Sequence, residues 1–149
     1  MSAAALAAAL LLGAPCGQDG FAAGQAWSVP TLEGGARVVI GRIDRLADEA
    51  VVSVAVQHPG AKPIEAGGQR LDTTVIGHLP FAEAALRRSV GRCLADDAVV
   101  PDSFDEGHKT WMNAVRREGA GWFDVTVTEV VTNVLPHAFT ATPSATETN

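Results

Sequence analysis

The chain has 149 residues, of which 47% are hydrophobic and 19% are charged, a composition that fits one folded domain and excludes a highly charged disordered polypeptide. Eleven lysine and arginine residues stand against 17 aspartate and glutamate residues, which gives a net charge of −6. We therefore expect no nucleic-acid partner and no binding to an anionic lipid surface, because both would be repelled.

The N-terminal segment is an alanine- and leucine-rich run over 3–13, followed by small residues up to Ala26. A helix of that length spans about 16 Å, too short for a bilayer core of about 30 Å but suited to the apolar region of a signal peptide. We predict a leader over 1–26, which would make the protein periplasmic or secreted. No basic residue precedes Arg37, so an alanine-rich disordered leader on a cytoplasmic protein, or a start codon assigned too late, stays open.

The two cysteines, Cys16 and Cys93, do not belong to any C-x-x-C pair. The residues before Cys16 are similar to a bacterial lipoprotein box, although Pro15 departs from that pattern. A bridge from the leader to the body of the domain would be unusual, so we expect none. Cys93 is interpreted as a small buried core residue.

Two β-rich runs, 37–43 and 50–56, flank a short polar connection, and this arrangement predicts a hairpin. Both alternating faces of the second run are apolar, which indicates a strand covered on both sides. A third short strand is expected over 73–76. A glycine- and proline-rich loop separates it from the hairpin.

Two helices are expected next, the first beginning at Pro80, where a missing N–H would be unpaired anyway. Ser103 and Glu106 have the spacing of a capping box, which predicts the start of the second helix, and Gly119 supplies its end. The first helix has the apolar stripe Ala82, Leu86, Val90, Cys93 and Leu94. The second has the inner stripe Phe104, His108, Trp111 and Val115.

The residues after the second helix alternate between apolar and polar side chains, which predicts a half-buried closing strand. Phe123, Val125 and Val127 share its inner face. The predicted fold is α+β, with a small antiparallel or mixed sheet of three to four strands, two helices packed on one face, and the order β-β-(β)-α-α-β. It occupies a single domain over 27–135, followed by a disordered tail over 136–149.

Histidine is the residue type that most often marks a site, and His78 lies where a strand is expected to meet a helix. With Asp72 or Asp105 as a carboxylate partner it could serve a small hydrolase-like enzyme. The favoured interpretation is a loop or capping histidine bonded to backbone, and His108 is expected to be a satisfied core histidine. Neither a nucleophile motif nor a phosphate loop nor a metal-ligand pattern is present, so we expect no cofactor and no metal.

Two surfaces are candidates for binding another protein. Trp122 falls on the polar face of the predicted closing strand, beside Asp124 and Thr126, unless the segment around Trp27 covers it. The first helix carries a basic face formed by Arg87, Arg88 and Arg92, for which a solvated face balanced by acids is the favoured interpretation. The sequence thus favours a small non-enzymatic binding module of inhibitor or immunity type, exported if the leader is a signal peptide, over the enzyme alternative.

Overall fold

The computed structural model describes Cys16 and residues 20–136 and shows an α+β fold built on a five-stranded antiparallel sheet. The sheet has the order β6-β3-β2-β1-β7 and consists of β1 (Ala26–Ser28), β2 (Arg37–Leu46), β3 (Glu49–Gln57), β6 (Val75–Ala82) and β7 (Cys93–Ala95). A separate two-stranded ribbon consists of β4 (Ile64–Ala66) and β5 (Gln69–Leu71). The helices are α1 (Glu83–Ser89), α2 (Ser103–Glu118) and α3 (Val127–Glu129), which continues into a π-helical turn (Val130–Val134).

The hairpin of β2 and β3 forms the centre of the sheet and confirms the predicted one. Leu46 pairs with Glu49 across a two-residue turn in which Ala47 and Asp48 have φ of 49° and 65°. A turn with both central residues in the left-handed region matches the twist of the strands that it joins. Residues 51–56 of β3 are all buried, so the prediction of a strand covered on both sides is also confirmed.

Alternation along β3 divides the interior into two layers. One face of the strand joins the main hydrophobic cluster, which includes Leu86 of α1 and Val127 of α3. Ser53 faces the other way and contacts His78, whose ring packs against α2. The helices therefore cover both faces of the sheet, and their predicted placement on one face is wrong. The valines on the cluster side of β3 are Val52, Val54 and Val56.

The close approach of α2 to the sheet depends on glycines, of which Gly41 and Gly107 are two. A Cβ at Gly41 of β2 would overlap the ring of Phe104, and a Cβ at Gly107 of α2 would come within 2.7 Å of the His78 Cβ. Any side chain at either position would hold the helix away from the strands. The two glycines thus allow α2 to pack closely over Ser53 and its neighbours.

The first helix begins later than predicted, because Pro80 belongs to β6. Since β6 is an edge strand, a residue without an N–H is tolerated there. The Pro80 carbonyl accepts a hydrogen bond from the N–H of Phe123 at 3.0 Å, and the N–H of Ala82 donates to the Phe123 carbonyl at 2.8 Å. Pairing of β6 with β3 continues to Ala82, which leaves only seven residues for α1, and the end of the predicted helix forms strand β7 instead.

The predicted closing strand is wrong beyond Phe123, which forms only an isolated bridge with Phe81. Thr126 is the N-cap of α3, and its hydroxyl accepts from the N–H of Glu129 at 3.2 Å. The T-x-x-E spacing of these two residues favours a helix start over an extended strand. Phe123 and Val127 still pack against the hydrophobic cluster, so the apolar half of the pattern points inward as expected.

The long helix α2 begins without the predicted capping box. Its N-cap is Asp102, in a helical conformation and without a side-chain cap, and the N–H of Phe104 donates to the Pro101 carbonyl at 3.0 Å. Its predicted end is confirmed, because Gly119 has φ of 68° and closes the helix. In the part of the chain that the structure describes, no helix has the length and apolar character needed to cross a membrane.

Cys16 and Cys93 form a disulfide, so the expectation that they are not bridged is wrong. Their Cα atoms are 5.9 Å apart, and the bond attaches the N-terminal segment to β7. Residues 24–26 of that segment belong to the sheet region, since Gly24 donates to the Ile40 carbonyl at 2.8 Å and Ala26 has no exposed surface. The rest of the predicted leader, and the predicted tail from residue 137 onward, lie outside the described residues.

Candidate functional site

Two hydrogen-bonded pairs lie side by side between α2 and the sheet. His78 Nε2 of β6 is 2.9 Å from Ser53 Oγ of β3, and His108 Nε2 of α2 is 2.8 Å from Asp44 Oδ2 of β2. The two imidazole centroids are 5.5 Å apart. We call these four residues the histidine cluster. Its His108–Asp44 pair joins α2 directly to the sheet.

Aromatic rings of α2 enclose the histidine cluster. The centroids of Phe104 and Trp111 each lie 5.4 Å from that of His78, and they lie 6.1 and 5.6 Å from that of His108. Phe104, His108 and Trp111 lie on α2 at successive spacings of four and three residues, so this part of the predicted inner stripe is confirmed. His108 is buried and hydrogen-bonded, which confirms its interpretation as a satisfied core histidine.

Burial and, to a smaller extent, repulsion from His108 lower the pKa of His78 to about 4, while Asp44 acts in the opposite direction. The side chain is therefore neutral at pH 7. A neutral imidazole can either donate to the Ser53 hydroxyl or accept from it. A histidine with this pKa is a weak base near neutrality, where a general base works best with a pKa close to the operating pH.

Neither Asp72 nor Asp105, the carboxylates of the enzyme alternative, is hydrogen-bonded to His78. Asp72 is exposed and accepts from the Thr74 N–H at 2.9 Å and from the Thr74 hydroxyl at 2.7 Å, and these bonds lower its pKa. Asp105 lies on an exposed part of α2. Among the described residues, the hydrogen-bond partner of His78 is a serine hydroxyl, not an acid. The interpretation of His78 as a loop or capping histidine bonded to backbone is wrong, since it lies within β6 and its partner is the Ser53 hydroxyl.

An apolar concave surface, which we call the aromatic groove, lies beside His78 at the edge of the sheet. Its volume is about 530 Å³, within the range of small-molecule sites. Trp111 Nε1 donates to the Gly121 carbonyl at 2.9 Å, which holds the loop after α2 against the helix. The groove is lined by this loop together with His78, Leu79, Pro80, Trp111, Trp122 and Phe123.

Trp122, Asp124 and Thr126 were predicted to share one binding surface. Of these three, Trp122 alone lines the aromatic groove, where it is partly buried against the core. The Asp124 carbonyl accepts from Arg88 Nη2 at 2.8 Å, and Thr126 caps α3. Trp27 does not provide the alternative cover, because it lies in β1 and packs edge-to-face against Phe21 at 5.4 Å. The candidate contact surface is thus a groove rather than a sheet face.

The three arginines of the predicted basic face contact different parts of the molecule. Arg87 is 3.2 Å from Glu83, as the i,i+4 spacing predicts, and its guanidinium lies 4.9 Å from the Phe21 ring centroid. Arg88 contacts the loop after α2, as described above. Arg92 follows α1, and its backbone N–H donates to a serine hydroxyl of β1 at 3.0 Å. The guanidinium groups of Arg87 and Arg88 therefore make contacts within the protein.

Sequence reasoning missed Ser53 and Asp44 as members of the histidine cluster. Their partners come from other elements, so no local motif connects them. One signal was present, because Ser53 interrupts an otherwise apolar buried strand and a buried hydroxyl requires a hydrogen-bond partner. Within Cys16 and 20–136, no three His, Cys, Asp or Glu side chains are grouped so that they could hold a metal ion.

The comparison with known proteins gives no relative for this arrangement. No protein-family model, no curated protein and no solved structure matches the chain.

Proposed function

We propose that this chain is an exported, non-enzymatic binding module of inhibitor or immunity type, and that the aromatic groove is its contact surface for another protein. The observation that carries the proposal is that Trp111 and Trp122 both line one apolar groove. Tryptophan side chains dominate the energetics of many protein interfaces because they bury a large area with little loss of conformational freedom. The bond from Trp111 to the Gly121 carbonyl supports a groove formed before the partner arrives.

The neighbouring histidine cluster gives less support to the enzyme alternative. Ser53 has no exposed surface, so its hydroxyl is out of reach of a substrate. His78 is bonded to that hydroxyl rather than to a carboxylate, and its pKa of about 4 makes it a weak base. These features fit a buried polar network that orders α2 on the sheet, beneath a surface that binds a partner.

The disulfide supports export, because such bonds persist in oxidising compartments and are rare in the cytosol. Cys16 is bonded to β7, and Gly24 and Ala26 belong to the sheet region. A signal peptidase that leaves this fold intact would have to cut before Cys16, rather than after Ala26. The same bond leaves no free thiol on Cys16 for lipid attachment.

A photo-crosslinker placed in the groove tests the proposal. A Cβ at Gly121 would meet no atom within 4 Å, so p-benzoylphenylalanine can be introduced there without a clash at the backbone. We expect irradiation in the native host to give one adduct of defined mass. Val99, which is 82% exposed, is the matched position outside the groove and should not give that adduct.

The captured protein is then identified, purified and titrated against wild type and Trp122→Leu, which keeps an apolar side chain against the core. We expect binding to weaken at least about tenfold, while the melting temperature stays within a few degrees of wild type. Identical adducts from positions 99 and 121, or equal affinity of the two proteins, would contradict the proposal.

A further inference from the structure

A second concave surface, which we call the basic pocket, lies between β2 and α2. It has a volume of about 530 Å³ and is lined by three cationic side chains, Arg42 of β2 and Lys109 and Arg116 of α2. The two α2 residues are seven positions apart, so they lie on one face of the helix, two turns from each other. Asp105 is the one carboxylate that lines the pocket.

Two of these cations lack an acidic partner. Within the described part of the chain, neither Lys109 nor Arg116 has a carboxylate oxygen within 4.0 Å. The chain has more acidic than basic residues, 17 against 11, so acids are not scarce. Two unpaired cations that line the same cavity are available to an anionic ligand.

The backbone of β2 places the third cation at this pocket. The register of β2 against β3 shifts between Ile40 and Arg42, and Gly41 at the shift leaves room for the Phe104 ring. Irregularities of this kind re-aim side chains and are frequent beside binding sites. Arg42 Nε is 3.4 Å from Asp44 Oδ1, which restrains the arginine at the rim while 62% of its side chain stays exposed.

The pocket also has polar and apolar parts that suit an organic group. Asn113 supplies an amide, and Met112 supplies an adaptable apolar side chain beside Phe104. A bare inorganic anion would leave most of a cavity of about 530 Å³ unfilled.

We propose that the basic pocket binds a small organic phosphate, with the phosphate oxygens between Lys109 and Arg116 and the organic group against Met112. Guanidinium groups bind phosphate oxygens through pairs of charge-assisted hydrogen bonds, and lysine adds a compact positive charge. The proposal is independent of the aromatic groove, because the two concave surfaces have no lining residue in common.

Titration of the full chain with phenyl phosphate, followed by calorimetry or by amide NMR shifts, tests this site. We expect saturable one-to-one binding, several-fold tighter than that of inorganic phosphate because the phenyl ring adds apolar contact. Arg116→Ala should weaken binding at least about fivefold. Arg117→Ala removes the next arginine of the same helix, which does not line the pocket, and should leave the affinity unchanged.

Three results would overturn the proposal. Absence of saturation by phenyl phosphate would remove the site. Equal weakening by Arg116→Ala and Arg117→Ala would show attraction to the general charge of α2 rather than to a pocket. Affinities for phenyl phosphate and inorganic phosphate that do not differ would contradict the apolar part of the site.

Discussion

The imidazole of His78 and the hydroxyl of Ser53 are hydrogen-bonded across two adjacent strands, with 2.9 Å between Nε2 and Oγ. Ser53 has no exposed surface, so water cannot replace the hydroxyl if it is removed. The bond lies under α2, which contacts β6 more than any other element of the sheet. It therefore contributes to holding the second layer in place.

Ser53→Ala is expected to lower the free energy of unfolding by about 1–3 kcal/mol, because the imidazole nitrogen that faces the buried Ser53 position loses its partner. Urea denaturation at pH 7.5 measures the change. Ser103→Ala is the matched control, since that serine is exposed on the same helix layer and its removal should cost no more than about 0.5 kcal/mol. Equal stability of Ser53→Ala and wild type would show that the bond is dispensable.

Acid is expected to destabilise the fold through His78. Its pKa is about 4 in the folded protein and 6.5 in an unperturbed histidine, so between these values the unfolded chain binds a proton that the folded chain does not. The free energy of unfolding therefore falls as pH is lowered from 6.5 to 4. Because the ring is partly exposed, we expect this contribution to be no more than about 2 kcal/mol.

His78→Gln should flatten that part of the stability curve, since glutamine retains hydrogen-bonding atoms but does not titrate. Chemical denaturation of wild type and variant at half-unit steps between pH 4 and pH 7 gives the comparison. Parallel curves for the two proteins would assign the acid sensitivity to other groups.

Removal of the disulfide is expected to destabilise the protein by about 2–5 kcal/mol, because the bond closes a long loop with a sequence separation of 77 residues. Cys16→Ser and Cys93→Ser should each lower the melting temperature, and the double variant should resemble either single one. A thiol assay on the denatured, oxidised wild type should detect no free thiol. Two free thiols in protein recovered from the native host would refute the bond.

Local sequence patterns predicted those elements whose formation is decided by neighbouring residues. The β2–β3 hairpin, the inner stripe of α2 and its end at Gly119 belong to this group. The start of α1 was predicted too early because Pro80 satisfies both a helix N-terminus and an edge strand. Only the pairing of β6 with β3 selects the strand.

The closing segment was misassigned because its alternation is compatible with two structures. Phe123 and Val127 pack inward in either, whereas Thr126 and Glu129 together decide for a capped helix. The histidine cluster was out of reach for a different reason, since its four residues come from four elements whose arrangement is set by the whole fold. The position of α2 on the opposite face of the sheet from α1 and α3 could not be predicted for the same reason, because it too is set by the whole fold.

The main-chain bonds between Phe123 and β6 also affect self-association. The unpaired backbone N–H and C=O groups of an edge strand form a template on which a second molecule can add its own strand. Such pairing is the first step of many aggregation reactions. Here the Pro80 carbonyl already accepts from the Phe123 N–H, and the Ala82 N–H already donates to the Phe123 carbonyl, within the same molecule. A chain truncated before Phe123 would expose that template, and we expect it to precipitate at concentrations at which the intact protein stays dispersed.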